Sequence, residues 1–254
     1  MTEKTQSRCP TGITGLDNML GGGLPRGRTI LVSGSCGTGK TTLALQFLMD
    51  GISKYNEPGI YVTLEQSGDE IRKDALQFGW DLPKLEAERK LLIIDTSLSK
   101  IGIKDFITTL PISPTTSFSL LPDEFDLNKI VGLTVEAARK LGARRIVVDS
   151  LPALDVLFKE THDIRRALVN LNYEFKASNL TTILIGETED EDGVTKIPVA
   201  DYISDGVILL KNNEALDMRT IRIRKMRTAK HTLKPQTYEI TPKGIEIKEA
   251  KSIL

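Results

Sequence analysis

Short apolar runs alternate along the chain with longer stretches in which apolar residues recur every three or four positions. The short runs predict buried strands at residues 29–33, 59–64, 90–95, 145–150 and 181–186. The longer stretches predict helices at residues 42–49, 69–78, 127–141 and 163–177. This alternation is typical of an α/β fold, with a mostly parallel central sheet flanked by helices on both faces.

The last third of the sequence has a different pattern. Residues 205–210, 219–226 and 237–240 predict successive strands, which we expect to extend the sheet in an antiparallel manner. Residues 97–122 are rich in Ser, Thr and Pro, have weak periodicity and predict an insertion or flexible loop. Because no linker rich in Gly, Ser or Pro divides the remainder, residues 1–254 are predicted to form a single domain.

Composition restricts the cellular compartment in which the protein is expected, but it does not indicate a binding partner. The 34 acidic residues balance 34 basic ones, so no global field favours nucleic acid or an acidic membrane surface. The two cysteines lack zinc-type spacing and fit a reducing compartment. The N-terminus lacks an apolar signal core, and no stretch reaches the roughly 18 apolar residues of a membrane span. These features predict a soluble, cytoplasmic protein without a membrane partner.

Residues 34–41 lie between the first predicted strand and the first predicted helix. Their sequence, GSCGTGKT, fits the phosphate-binding loop (P-loop) pattern at every required position and predicts nucleoside triphosphate binding. The glycines allow backbone N–H groups to surround phosphates, and the helix N-terminus adds partial positive charge. We expect Lys40 to reach the β- and γ-phosphates and Thr41 to ligate magnesium. The predicted nucleotide-binding residues are Gly34, Ser35, Cys36, Gly37, Thr38, Gly39, Lys40, Thr41 and Thr42.

Two acidic residues follow predicted buried strands. Asp149 ends the strand at 145–150 and is the candidate carboxylate on the magnesium side, because ligands of α/β sheets bind beyond the carboxyl ends of the strands. A helix cap formed with Ser150 is the alternative role. Glu65 follows the strand at 59–64 and is the candidate that polarises water for attack on the γ-phosphate. A solvated loop acid is the alternative there.

Several stretches around the P-loop carry a family resemblance. Residues 11–17 and 21–27 resemble the RecA superfamily, and within it the KaiC-like ATPases. The order and spacing of further stretches are similar to the KaiC pattern, namely residues 63–66, 78–82, 202–207 and 225–227 and His231. The resemblance covers residues 11–247 apart from 97–122. It implies a RecA-like P-loop NTPase fold of the single-lobe type that is common in archaea.

The same resemblance implies a homo-oligomeric ring, normally a hexamer, with ATP and Mg²⁺ between adjacent subunits. Lys225 and Arg227 match cations that stabilise charge on the γ-phosphate of a neighbouring subunit. Strand alternation independently predicts that Ile221, Ile223, Lys225 and Arg227 share one face, with the two cations at its end. A basic strand edge that prevents aggregation is the alternative.

Two positions depart from the family pattern. Paired glutamates usually follow the second strand, and here the second is Gln66, while Glu65 keeps the position of the base. In the kinase lobe of the clock protein, phosphorylated Ser and Thr occupy the positions that match Asp201 and Tyr202. The resemblance therefore implies ATP hydrolysis, and these replacements argue against autophosphorylation of that kind.

Nucleic acid is the main alternative partner. RecA-type recombinases bind DNA through loops after the fourth strand, where basic, glycine or aromatic residues are needed. Residues 187–192 are instead an acidic run, which would repel a phosphate backbone. The sequence favours an ATPase switch whose conformational change is recognised by an unknown protein partner. A DNA-dependent ATPase paralogous to RecA and RadA, and a non-hydrolysing ATP-binding assembly module, stay open as alternatives.

Overall fold

The computed structural model describes residues 7–96, 127–158, 160–188 and 195–248. The predicted insertion at 97–122 and residues 189–192 of the acidic run lie outside this part of the chain. The described strands are β1 (Arg8–Cys9), β2 (Leu24–Pro25), β3 (Thr29–Gly34), β4 (Gly59–Thr63), β5 (Leu91–Asp95), β6 (Arg145–Asp149), β7 (Thr181–Glu187), β8 (Gly206–Asn213), β9 (Met218–Met226), β10 (Gln236–Thr241) and β11 (Gly244–Ile247). The described helices are α1 (Thr14–Met19), α2 (Lys40–Tyr55), α3 (Gly68–Leu76), α4 (Leu82–Ala87), α5 (Leu127–Leu141), α6 (Ala153–Leu157), α7 (Thr161–Ala177) and α8 (Pro198–Ile203).

The central sheet contains nine strands in the order β11-β10-β9-β8-β3-β7-β6-β4-β5. The six strands from β8 to β5 are parallel to one another, whereas β9 pairs antiparallel with β8, β10 with β9, and β11 with β10. The mostly parallel sheet and its antiparallel C-terminal extension confirm the predicted fold class. The short strands β1 and β2 form a separate antiparallel pair.

Helices cover both faces of the sheet because successive residues of the buried strands point to opposite sides. On β3, Ile30 and Val32 belong to one hydrophobic cluster, and Leu31 belongs to the other. The first cluster includes residues of α1 to α4, and the second includes residues of α5 to α8. None of the described helices is long and apolar enough to cross a membrane.

The pairing of β8 with β9 contains a β-bulge close to the predicted trans-acting cations. Val207 lies opposite Lys225, but the next residue of β8, Ile208, lies opposite Ile223. Arg224 is therefore an extra residue on β9. An extra residue reverses the inward and outward alternation of the strand beyond it.

The bulge changes which side chains of β9 share a face. Ile221, Ile223 and Met226 are buried in the same hydrophobic cluster, so Met226 takes the side that strict alternation assigns to Lys225. Lys225 contacts the end of α8, which packs on the other face of the sheet. The prediction that Lys225 continues the face of Ile221 and Ile223 is wrong, because strict alternation does not anticipate the extra residue.

Candidate active site

The predicted P-loop connects β3 to α2 at the carboxyl end of the parallel strands. Gly34 has no room for a side chain, since a Cβ atom there would lie 2.4 Å from the carbonyl oxygen of Leu210. Gly39 precedes α2 with φ of 82°, in the left-handed region that favours glycine. The Thr38 hydroxyl donates to the Ser35 carbonyl at 2.8 Å and braces the loop from within. The loop thus has the shape that its motif predicts.

Lys40 is the first residue of α2, and its side chain reaches back across the loop. Its Nζ donates to the carbonyl oxygens of Gly34 and Ser35, each at 2.8 Å. Burial lowers the pKa of Lys40, and the nearby carboxylates of Glu187 and Asp149 act in the opposite direction. The ammonium therefore lies at the loop, where a phosphate group would be surrounded by backbone N–H groups.

Thr41 and Asp149, the two predicted magnesium ligands, are in direct contact. The Thr41 hydroxyl donates to Asp149 Oδ2 at 2.8 Å, and the buried hydroxyl of Tyr61 donates to the same oxygen at 2.5 Å. Burial raises the pKa of Asp149, while these two hydrogen bonds lower it. Asp149 does not cap the following helix, because α6 has Pro152 at its N-cap and no side-chain capping bond.

The oxygen donors of Thr41 and Asp149 fit magnesium. Within the described residues, no group of three or more His, Cys, Asp or Glu side chains could hold a metal ion. Magnesium characteristically uses one or two protein carboxylates together with waters and substrate phosphates, so a complete protein cage is not required. One carboxylate and one hydroxyl beside a P-loop are suited to this type of coordination.

Glu65 lies at the same edge of the sheet as Asp149. Thr63, the last residue of β4, is in register with Asp149 on β6, and Glu65 follows two residues later. The Ser150 hydroxyl donates to Glu65 Oε2 at 2.5 Å, which joins the loops after the two strands. Glu65 is exposed, so water can reach it, and the bond from Ser150 gives this loop acid a defined orientation. Its neighbour Gln66 is also exposed.

The C-terminal strands brace the P-loop from outside. The Tyr238 hydroxyl on β10 donates to the Thr38 carbonyl at 2.5 Å, and Asn212 Nδ2 on β8 donates to the Cys36 carbonyl at 3.4 Å. Sequence reasoning missed both contacts, because the residues lie far from the loop along the chain. It also missed Tyr61, although a tyrosine in an otherwise aliphatic buried strand signals that its hydroxyl needs a partner.

Lys225 and Arg227 lie at the opposite end of the parallel strands. Lys225 is opposite Val207, which pairs with Leu31 near the start of β3, whereas the P-loop follows the last residue of β3. Lys225 Nζ donates to the carbonyl oxygens of Asp201 at 2.8 Å and Ser204 at 2.6 Å. Within one chain, these cations are therefore separated from the predicted phosphate site.

Comparisons with known proteins identify the family of the chain. A family model described as KaiC ATPase matches residues 9–252. The circadian clock oscillator protein KaiC of Parathermosynechococcus lividus is 37% identical over 240 residues, which cover 93% of this chain and 41% of that protein. The same-named protein of Nostoc sp. is 38% identical over 240 residues, covering 93% of this chain and 43% of its own length. The chain thus spans about two fifths of the length of these curated relatives.

A solved structure of similar length matches the fold. The crystal structure of a KaiC-like protein from the hyperthermophilic archaeon Pyrococcus horikoshii superposes with a TM-score of 0.79 at 32% sequence identity. The match covers 96% of this chain and 99% of that chain. Family model, sequence relatives and fold therefore agree, and the chain belongs to the KaiC-like P-loop ATPases.

Proposed function

We propose that this chain binds ATP with Mg²⁺, hydrolyses it and acts as a nucleotide-driven switch in a homo-oligomeric ring. The observation that carries the proposal is the convergence of four predicted residues at one edge of the sheet. Lys40 lies on the P-loop, Thr41 is bonded to Asp149, and Glu65 is bonded to Ser150, the residue after Asp149. A nucleotide-binding module without catalytic function would not need an oriented carboxylate at this edge.

In this proposal, residues after β3 bind the phosphates, and Thr41 together with Asp149 at the end of β6 binds the metal ion. The backbone N–H groups of the P-loop and the Lys40 ammonium hold the phosphates, while Thr41 and Asp149 hold the metal. A magnesium ion bound there would neutralise charge on the phosphate oxygens. Tyr61 fixes the orientation of Asp149 through its 2.5 Å hydrogen bond, so the carboxylate is positioned before any ligand arrives.

Glu65 is proposed as the general base. Its Oε2 accepts the bond from Ser150, and Oε1 is the oxygen that would accept a proton from the attacking water. The exposure of Glu65 supports this role, because the water must come from solvent. Gln66 cannot substitute for it as a base, since an amide side chain does not accept a proton at neutral pH.

A shared site between subunits is proposed for Lys225 and Arg227. Both lie at the opposite end of the strands from the P-loop of their own chain, so a phosphate contact requires the P-loop of a neighbour. The Arg227 side chain is 55% exposed, which supports a role outside its own subunit. The family resemblance implies a hexameric ring, which would repeat this contact at every interface between subunits. An unknown protein partner would recognise the conformation of the ring.

Phosphate release by the purified protein tests these proposals. We expect Mg²⁺-dependent turnover that is unchanged by single-stranded DNA. We also expect specific activity to fall when the protein is diluted below the dissociation range of the ring, because mass action separates the shared sites. DNA-stimulated turnover would instead favour a recombinase-like ATPase, and tight ATP binding with negligible turnover would favour a non-hydrolysing assembly module.

A further inference from the structure

The last residues of α8 and its connection to β8, residues 201–205, contact the cations at the end of β9. Lys225 Nζ donates to the Asp201 and Ser204 carbonyl oxygens, as a cation does when it caps a helix C-terminus. The guanidinium group of Arg224 forms an ion pair with the carboxylate of Asp201. We call residues 201–205 the clamp segment, because the end of β9 is held against it.

Asp205 closes the clamp segment and contacts Arg227 twice. Its carbonyl oxygen accepts the backbone N–H of Arg227 at 2.8 Å, and its Oδ1 lies 3.8 Å from Arg227 Nη1. Its carboxylate is 1% exposed and also lies 3.0 Å from Lys176 Nζ and 3.4 Å from Arg28 Nη1. Asp205 therefore holds the start of the Arg227 side chain in place and lies near its charged end.

The distances indicate what the carboxylate does for Arg227. Lys176 and Arg28 approach Asp205 more closely and already compensate its buried charge, so Arg227 is not needed to neutralise it. The longer, 3.8 Å contact leaves the Arg227 guanidinium more than half exposed while biasing its direction. An exposed arginine loses rotamer freedom when it binds, and a directing carboxylate reduces that loss.

We propose that Asp205 is a positioning residue for Arg227 and that the clamp segment sets the geometry of the cations presented to a neighbouring subunit. This inference rests on the proposed trans-acting role of Arg227. It predicts that loss of the Asp205 carboxylate impairs the shared site that holds the neighbouring subunit's P-loop and leaves the P-loop of its own chain competent. A residue that only stabilised the fold would impair both.

The test uses mixed rings assembled after dissociation. Asp205→Asn alone should lower kcat by about tenfold or more with little change in KM for ATP, since the contact it directs acts in the transition state. Mixed with Glu65→Gln, it should regain activity, because some interfaces combine its intact Glu65 with an intact Asp205 and Arg227. Mixed with Arg227→Ala, it should not, because both variants are defective in the same trans-acting element.

Two control variants distinguish a role of Asp205 in positioning Arg227 from a role in stabilising the fold. Glu57→Gln removes the carboxylate that pairs with the fully buried Arg145, on a strand that β8, β3 and β7 separate from β9. This variant should leave kcat unchanged at temperatures where the protein stays folded. Asp205→Asn combined with Lys176→Gln removes one charge of each sign and should restore thermal stability without restoring kcat. Return of kcat together with stability would overturn the proposal.

The outcomes also distinguish this inference from the proposed function. If ATPase activity returns when Glu65→Gln and Arg227→Ala are mixed, in rings verified to contain both variants, the result supports the shared site. If that pair recovers and Asp205→Asn with Glu65→Gln does not, the positioning role is wrong and the shared site stands. If neither pair recovers, the shared site is wrong, and the positioning role fails with it.

Discussion

The two ends of the parallel strands are built in different ways. At the carboxyl end, Lys40 and Thr41 begin α2 directly after the glycine-rich loop, Asp149 ends β6, and Glu65 follows the adjacent strand β4. At the amino end, the charges around Asp205 come from separate segments, namely the residue before β3, the end of α7 and the end of β9. The predicted phosphate-binding loop is one local motif, whereas the cations that would serve a neighbour depend on long-range packing.

The largest expected effect tests the carboxyl end. Lys40→Ala should abolish ATP binding, because the variant lacks the ammonium that lies at the P-loop and is expected to contact the phosphates. Equilibrium binding of a fluorescent ATP analogue measures this. Lys54→Ala, at the exposed far end of the same helix, is the matched control and should bind normally. If Lys40→Ala bound ATP with native affinity, the assignment of the P-loop as the ATP-binding site would be wrong.

A second substitution separates binding from chemistry at the same edge. Glu65→Gln should leave ATP affinity nearly intact while lowering turnover by about 10²- to 10⁴-fold, the range typical of a lost general base. Phosphate release under saturating ATP measures the turnover. Gln66→Ala, at the exposed neighbouring position, should retain most of the activity. If Glu65→Gln hydrolyses ATP at the native rate, the base assignment is wrong and Glu187 is the next carboxylate to test.

The carboxyl end was also the more predictable one from sequence. The P-loop is a local pattern, and acids after buried strands must meet at one edge of a parallel sheet, so the Thr41–Asp149 contact follows from the fold class. Tyr61 was missed because its position in a buried strand is typical of core packing, although its hydroxyl needed a partner. The short helices α6 and α8 were missed because they have too few residues to show periodicity.

At the amino end, the sequence indicated the cations but not their surroundings. The extra residue of the bulge, Arg224, has no glycine or proline beside it on β9 to signal it, so alternation assigned Lys225 to the wrong face. The burial of Asp205 depends on Lys176 and Arg28, which are distant along the chain. Such a cluster follows from tertiary packing and has no local sequence signature.

A third substitution, with a smaller expected effect, tests whether the C-terminal strands support the P-loop at the carboxyl end. Tyr238→Phe removes the hydroxyl that donates to the Thr38 carbonyl, at a cost of about 1 kcal/mol in the free energy of unfolding. ATP affinity should fall by about fivefold or less, because a hydrogen bond of that strength corresponds to a modest change in binding. Urea unfolding and ATP titration measure the two effects. Tyr173→Phe, with an exposed side chain, should change neither, and equal behaviour of the two variants would contradict a bracing role.

The smallest expected effect concerns covalent modification at the amino end. Incubation with γ-labelled ATP should leave no stable phosphoserine or phosphothreonine on the protein, because Asp201 and Tyr202 replace the serine and threonine acceptors of the clock kinase lobe. The Asp201 carboxylate already accepts the Thr195 hydroxyl at 2.7 Å and pairs with Arg224, so it is engaged in structure. Ser204, the nearest serine, is fully buried and donates its hydroxyl to the Ala200 carbonyl at 2.7 Å, which keeps it from a γ-phosphate. A clock KaiC labelled in parallel is the positive control. Stoichiometric phosphoserine at Ser204, found by mass spectrometry, would show that the clamp segment opens during turnover and that the amino end is less fixed than its contacts indicate.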